Sequence, residues 1–186
     1  MADPIGDIRE AIHKTTPIVE GISDSQWSTP TLCSEFDVKA LLNHMVGAAT
    51  MFRQVIEEGQ ATGDPSSDLL GSDPKGAFRT AAAAALASFE KGKVLDRTLN
   101  MPFGEIPGTV GAGILGMEMF VHGVDLAVAT GQESKIDQDM CGAMKESAKQ
   151  VGVDNFRVPG VFGPEVQAGA GARPHEHLLA YLGRQV

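Results

Sequence analysis

The chain has 186 residues, of which 42% are hydrophobic and 21% charged, and it carries a net charge of -9. That is enough chain for one domain with an apolar core, and the expectation is a single domain over residues 1–186. The acidic balance argues against non-specific attraction to nucleic acid or to an anionic membrane surface, both of which need basic surface. No basic segment followed by an apolar run opens the chain, so no secretory signal is expected. The two cysteines, Cys33 and Cys141, lack metal-type CxxC spacing. The expectation is a cytoplasmic protein with reduced thiols.

In chain order, "DPIGDIREAIHKTTPIVEGIS" reads as an amphipathic helix with Ile5, Ile8, Ile12 and Val19 at helical spacing; Pro17 is placed to kink or break it. "DSQWSTPTLCSEFD" is rich in turn formers and reads as a loop. Asp37 is the expected N-cap of a long second helix, "VKALLNHMVGAATMFRQVIEEG", ending near Gly59. A polar linker, "QATGDPSSDLLGSD", leads to Asp73-Pro74, an N-cap followed by an N1 proline. The third helix, "KGAFRTAAAAALASFEKG", then stops at Gly92. "LNMPFGEIPG" reads as a turn-rich connection. Thr109 is the expected cap of a fourth helix, "VGAGILGMEMFVHGVDLAVATG", that stops at Gly131. "DQDMCGAMKESAKQV" reads as a fifth, shorter helix. "DNFRVPGVFGPEVQAGAGARP" is loop-like, and "HEHLLAYLGR" holds a final turn of helix. Strand-type alternation is scarce, so the expected class is all-α, a helical bundle with a short extra helix and a loop-rich C-terminal tail.

The fourth helix is apolar except for Glu118, His122 and Asp125. It is long enough to cross a membrane. Three ionisable groups in mid-span oppose that, an acidic one by about 2.5–3.5 kcal/mol, so a buried soluble helix is the expectation. Glu118 and His122 are four apart, and Asp125 is two turns beyond Glu118, so all three share one face. An ionised carboxylate is costly to bury unless it meets a cation or a hydrogen-bond donor. The three therefore either bind a metal or satisfy one another.

His44 sits among apolar residues of the second helix. Bundle metal sites are built from inward-facing side chains of neighbouring helices. His44, Glu118 and His122 make two imidazoles and a carboxylate, a catalytic ligand set that leaves a coordination position open. Asp125 either orients an imidazole from outside the ligand set or caps a backbone amide. Cys33 is a weaker nucleophile candidate, with no histidine or basic neighbour in sequence. Cys141 reads as helix packing. His13 reads as surface, and His175 and His177 as a solvated face. No glycine pattern supports nucleotide binding.

Together, "WSTPTLCSEFDVKALLNHMVG" and "EMFVHGVDLAVATGQ" resemble the two signatures of the mycothiol-dependent maleylpyruvate isomerase-like proteins, within the DinB-like superfamily. "FGPEV" and "LLAYLGR" resemble the tail of an actinobacterial subgroup. Phe36 stands where tryptophan is common in the family. The resemblance implies a DinB-like four-helix bundle with a divalent metal, Zn2+ foremost and Ni2+ or another ion next, on His44, Glu118 and His122. It implies mycothiol as cosubstrate, its sulfur bound by the metal and held as the reactive thiolate. In an isomerase that thiolate adds to a conjugated cis double bond, allows rotation, and leaves.

The short stretch after Gly131 falls short of the additional domain of the full isomerases, and no cluster of arginines suited to a dicarboxylate stands out. The expected function is therefore a metal-dependent thiol transferase or isomerase. A metal-dependent hydrolase is the alternative, and a non-catalytic metal-binding stress-response protein is a further one. The expected partners are a small-molecule substrate and a low-molecular-weight thiol, without nucleic acid or membrane; a homodimer is left open.

Overall fold

Aspartates set three of the helix starts. Asp3, Asp37 and Asp73 accept hydrogen bonds from the backbone N–H of Gly6, Ala40 and Gly76 at 2.9, 2.8 and 2.9 Å. Each bond satisfies a donor that the first turn of a helix cannot. The computed structural model describes residues 3–64, 66–150, 152–157 and 162–186. The helices are α1 (Pro4–Glu20), α2 (Val38–Glu58), α3 (Pro74–Glu90), α4 (Gly108–Ala129), α5 (Gln138–Gln150) and α6 (Pro174–Tyr181). The strands are β1 (Thr98–Met101) and β2 (Gly104–Pro107).

Several expected boundaries move. α1 continues through Pro17 to Glu20. The bond lost at the proline falls in the final turn, which buried Ile18 and Val19 hold on the core. α3 ends at Glu90, just short of Gly92. The fifth helix ends at Gln150; its expected last residue, Val151, lies outside the described residues, as do 158–161 of the loop-like tail. The connection "LNMPFGEIPG" is a β-hairpin, with Leu99 opposite Ile106 and Met101 opposite Gly104. Leu99 and Met101 are buried and their neighbours exposed. This hairpin delivers the chain into α4 at Gly108, one residue before the expected Thr109 cap. Gly108 N–H donates to Arg97 O at 2.7 Å, and a Cβ there would collide with Val94 O, so the crossing admits only glycine.

α1 packs along α4 and α3, and α2 packs along α3 and α4. The four long helices thus close a ring in the order α1, α4, α2, α3, the all-α bundle expected from the sequence. Phe52 of α2 and Phe89 of α3 meet with ring centroids 6.0 Å apart. Ile8, Leu41, Met45, Phe78, Leu115 and Met119 fill the centre. Each such side chain contributes about 1.5–3 kcal/mol by leaving water. The buried hydroxyl of Thr15 donates to Met119 O at 2.9 Å and ties α1 to α4. α4 alone among the described helices is long and apolar enough to cross a membrane, and here most of it is buried inside the bundle. α5 and α6 pack on each other, and α6 touches α4.

Candidate metal centre

His44 projects from α2, and Glu118 and His122 project from α4, because the ring sets these two helices side by side. The one-turn spacing on α4 puts Glu118 and His122 on the same face. Glu118 Oε2 lies 3.0 Å from His44 Nε2 and 3.4 Å from His122 Nε2. All three donor atoms fall within 4.8 Å of one another. An ion bound tetrahedrally at ~2.0–2.1 Å holds neighbouring donors ~3.3 Å apart. The residues therefore fit a divalent ion in spacing and in donor type. Their side chains grade from 40% exposed at His44 through 27% at Glu118 to 11% at His122, so the group opens outward from a sealed base.

Asp125 forms that base and is wholly buried. Its Oδ2 accepts from His122 Nδ1 at 3.0 Å. An ionised carboxylate only accepts, so Nδ1 carries the hydrogen and Nε2 is left facing Glu118 and His44. A histidine ligand commonly donates its other ring nitrogen in this way. Arg184 completes the arrangement, donating to Asp125 from Nη2 at 3.1 Å and from Nε at 3.4 Å.

Burial pushes the Glu118 carboxyl up, but the imidazoles of His122 and His44 outweigh it and hold the group well below the usual carboxylate range. Burial pushes His122 down, and Glu118 and Asp125 outweigh it and raise the imidazole well above its ordinary value. For Asp125, burial is again overcome, first by the His122 hydrogen bond and then by the charge of Arg184, leaving the carboxyl lowered. Along the site, the carboxylates of Glu118 and Asp125 thus alternate with the imidazole of His122 and the guanidinium of Arg184.

A cleft of about 510 Å³ opens above the group. Leu32, Phe36, Phe162, Pro164 and Leu182 give it apolar walls, and Cys33, Ser34, Glu35, Arg157 and Arg184 add polar ones. Two backbone bonds between Thr31 and Phe36 and between Phe36 and Cys33 close the loop that carries Cys33. Cys33 Sγ lies 3.3 Å from Arg184 Nη2 and 3.9 Å from His122 Nδ1. The basic and imidazole neighbours missing near Cys33 in sequence are therefore supplied by the fold. Cys33 stands on the far side of the His122 ring from Glu118, outside the two-imidazole, one-carboxylate group.

The four residues singled out in the sequence, His44, Glu118, His122 and Asp125, come together. His175 does not join them, and it is not on a solvated face: it is buried, its backbone N–H and Nδ1 3.2 and 3.1 Å from Gln138 Oε1. His13 and His177 are exposed. Cys141 is buried in the α5 packing, and burial pushes its thiol up to about 12. Arg184 and Arg157 are the residues that sequence spacing missed. Each reaches the cleft from the tail, and each is engaged with the protein itself. Arg157 donates to Gly163 O at 2.6 Å and to Tyr181 O at 2.9 Å. The one available signal was an arginine directly after a glycine at the end of the apolar "LLAYLGR".

A helical bundle with a two-histidine, one-carboxylate group at a cleft defines a class of candidate metalloproteins, and the comparisons give the family. Residues 8–127 match the mycothiol maleylpyruvate isomerase N-terminal domain, and the chain belongs to that family, a DinB-like one. The chain is similar to two uncharacterized proteins of Mycobacterium tuberculosis, from strains CDC 1551 / Oshkosh and ATCC 25618 / H37Rv. Each is 28% identical over 186 residues, covering 99% of both chains. No solved structure matches.

Proposed function

We propose that this chain is a divalent-metal-dependent thiol transferase or isomerase, acting in the cytoplasm with mycothiol or a similar low-molecular-weight thiol. The supporting observation is the convergence of His44 Nε2, Glu118 Oε2 and His122 Nε2 at the base of an open cleft, in a member of a family described by a mycothiol isomerase. His44, Glu118 and His122 are the residues that would hold the ion, with zinc the first expectation and nickel the next. When bound, such an ion supplies Lewis-acid stabilisation of a thiolate. The chain's own groups do the rest. Asp125 keeps His122 in one tautomer and one orientation. The Glu118 carboxylate brings negative charge to the cation. Leu32, Phe36, Phe162 and Leu182 shield the reacting sulfur from water and seat an apolar carbon skeleton.

The test is elemental analysis of the purified, untagged protein beside His44→Ala, Glu118→Ala and His122→Ala. About one metal per chain in the wild type and little in each variant is expected. Titration of the loaded protein with mycothiol follows, with saturable binding expected. A loaded protein that binds no thiol would favour hydrolysis, with water in place of the thiol. No metal in the wild type, even after reconstitution, would mean that Glu118 and the two imidazoles merely satisfy one another, and the enzymatic reading would fall.

A further inference from the structure

We infer that Arg184, in the C-terminal tail, is a positioning residue of the metal centre, acting on His122 through Asp125. This rests on reading His44, Glu118 and His122 as the metal ligands. Asp125 is a wholly buried carboxylate on α4, the most apolar of the described helices. Its Oδ2 is shared, accepting from His122 Nδ1 at 3.0 Å, from Arg184 Nη2 at 3.1 Å and from the Cys33 thiol at 3.5 Å, while Oδ1 accepts from Arg184 Nε at 3.4 Å. A bidentate guanidinium fixes the plane of a carboxylate as well as its charge. The plane of Asp125 sets the direction of the lone pair that His122 Nδ1–H meets. The ring orientation of His122, and so the aim of its Nε2, is therefore set from the tail.

The tail is built to hold that arginine. α6 ends in a Schellman motif: Gly183 N–H donates to Ala180 O at 3.0 Å, and Arg184 N–H donates to Leu179 O at 2.9 Å. Gly183 adopts φ +90°, and a Cβ there would lie 2.7 Å from Gly163 Cα. Only glycine gives both the left-handed backbone and the close approach, and the turn points Arg184 inward toward α4. Arg184 Nη1 also donates to Leu182 O at 3.1 Å, which holds the guanidinium to its own turn. A surface arginine needs none of this. The side chain is 9% exposed, and burial of so costly a cation makes sense only against the anion it meets.

The test measures Zn2+ affinity by competition with a chromophoric chelator, and the visible spectrum of the Co2+-loaded protein, for wild type, Arg184→Met, Arg184→Lys, Asp125→Asn and the double variant Asp125→Asn/Arg184→Met. Arg184→Met is expected to weaken Zn2+ binding about ten- to a hundred-fold and to alter the Co2+ spectrum. Arg184→Lys should recover part of the affinity. Arg184→Met should weaken Zn2+ binding less than about twofold in the Asp125→Asn background, since its route is already cut. Unchanged affinity and spectrum in Arg184→Met, or an equal loss in both backgrounds, would overturn the inference.

Should the methionine variant fail to fold, the wild type alone still decides. Coupling is reciprocal, so Zn2+ must slow amide hydrogen exchange of the 178–186 segment more than that of α3. Equal slowing would overturn the inference too. If wild-type protein takes up no Zn2+ at all, it is the underlying metal reading that fails.

Discussion

Two buried polar side chains, Asp125 and His175, answer to different neighbours, His122 and Gln138. Asp125 shares a helical face with Glu118 and His122, and such groups on an apolar helix must meet a cation or one another; His122 meets both carboxylates. His175 follows a proline in a polar-looking stretch, and nothing local indicates that α6 will bury it against Gln138 of α5. The two substitutions therefore separate. His175→Ala leaves a cavity and an unmatched Gln138, costing about 1–3 kcal/mol in denaturant unfolding with metal content unchanged. Asp125→Ala strands a buried guanidinium and costs about 3–5 kcal/mol, and it lowers metal content as well. At His122 a proton and a metal compete. In the metal-free protein the imidazolium between Glu118 and Asp125 has a raised pKa, so its stabilisation is present at low pH and is lost as pH rises through that value. Metal binding needs the neutral ring and runs in the opposite sense. The gain in melting temperature on adding Zn2+ should accordingly be larger at about pH 8 than at about pH 6, with protons released to a weakly buffered solution on binding. A gain independent of pH would contradict the assignment of His122.

At the scale of elements, the helices were legible because apolar spacing marks α1, an aspartate cap opens α2, and an aspartate cap with an N1 proline opens α3. The hairpin was not, because each strand is only four residues long and just two of the eight residues are fully buried. Over so short a run the two-residue period cannot be told from a loop. α4 was legible as buried, but its closeness to α1 depends on Gly123, which is not a residue that periodicity marks. A Cβ at Gly123 would collide with the Thr15 side chain. Gly123→Val should therefore push α1 and α4 apart, break the Thr15–Met119 bond, and cost about 1–3 kcal/mol by overpacking. Because Gly123 adjoins His122, metal affinity should fall in the same variant. Thermal unfolding and metal titration of Gly123→Val beside Gly123→Ala check this, with the smaller side chain expected to do less on both counts.

For the molecule as a whole, the ring order α1, α4, α2, α3 matters more to the site than any one helix. It is the adjacency of α2 and α4 that brings His44 to Glu118 across 74 residues of sequence. Sequence spacing offered these as partners, but spacing along one helix says nothing about which helices become neighbours. The return of the tail to Asp125 was beyond it for the same reason. This layout also decides what metal removal does. The centre of the bundle is packed by Phe52, Phe78, Phe89, Leu115 and Met119, independently of any ion, and the ligands sit where a cleft opens to solvent. A small metal-nucleated domain unfolds when stripped; this bundle has a core of its own and should not. An ion present at about a hundred times its Kd adds about 2.7 kcal/mol. For a chain of this size each kcal/mol moves Tm by about 2–4 °C. Treatment with a chelator should therefore leave the far-ultraviolet circular dichroism of a helical protein intact and lower Tm by roughly 5–11 °C, reversibly on adding Zn2+ back. Loss of the helical signal on stripping would instead make the metal a structural keystone, and would favour a non-catalytic metal-binding protein over an enzyme.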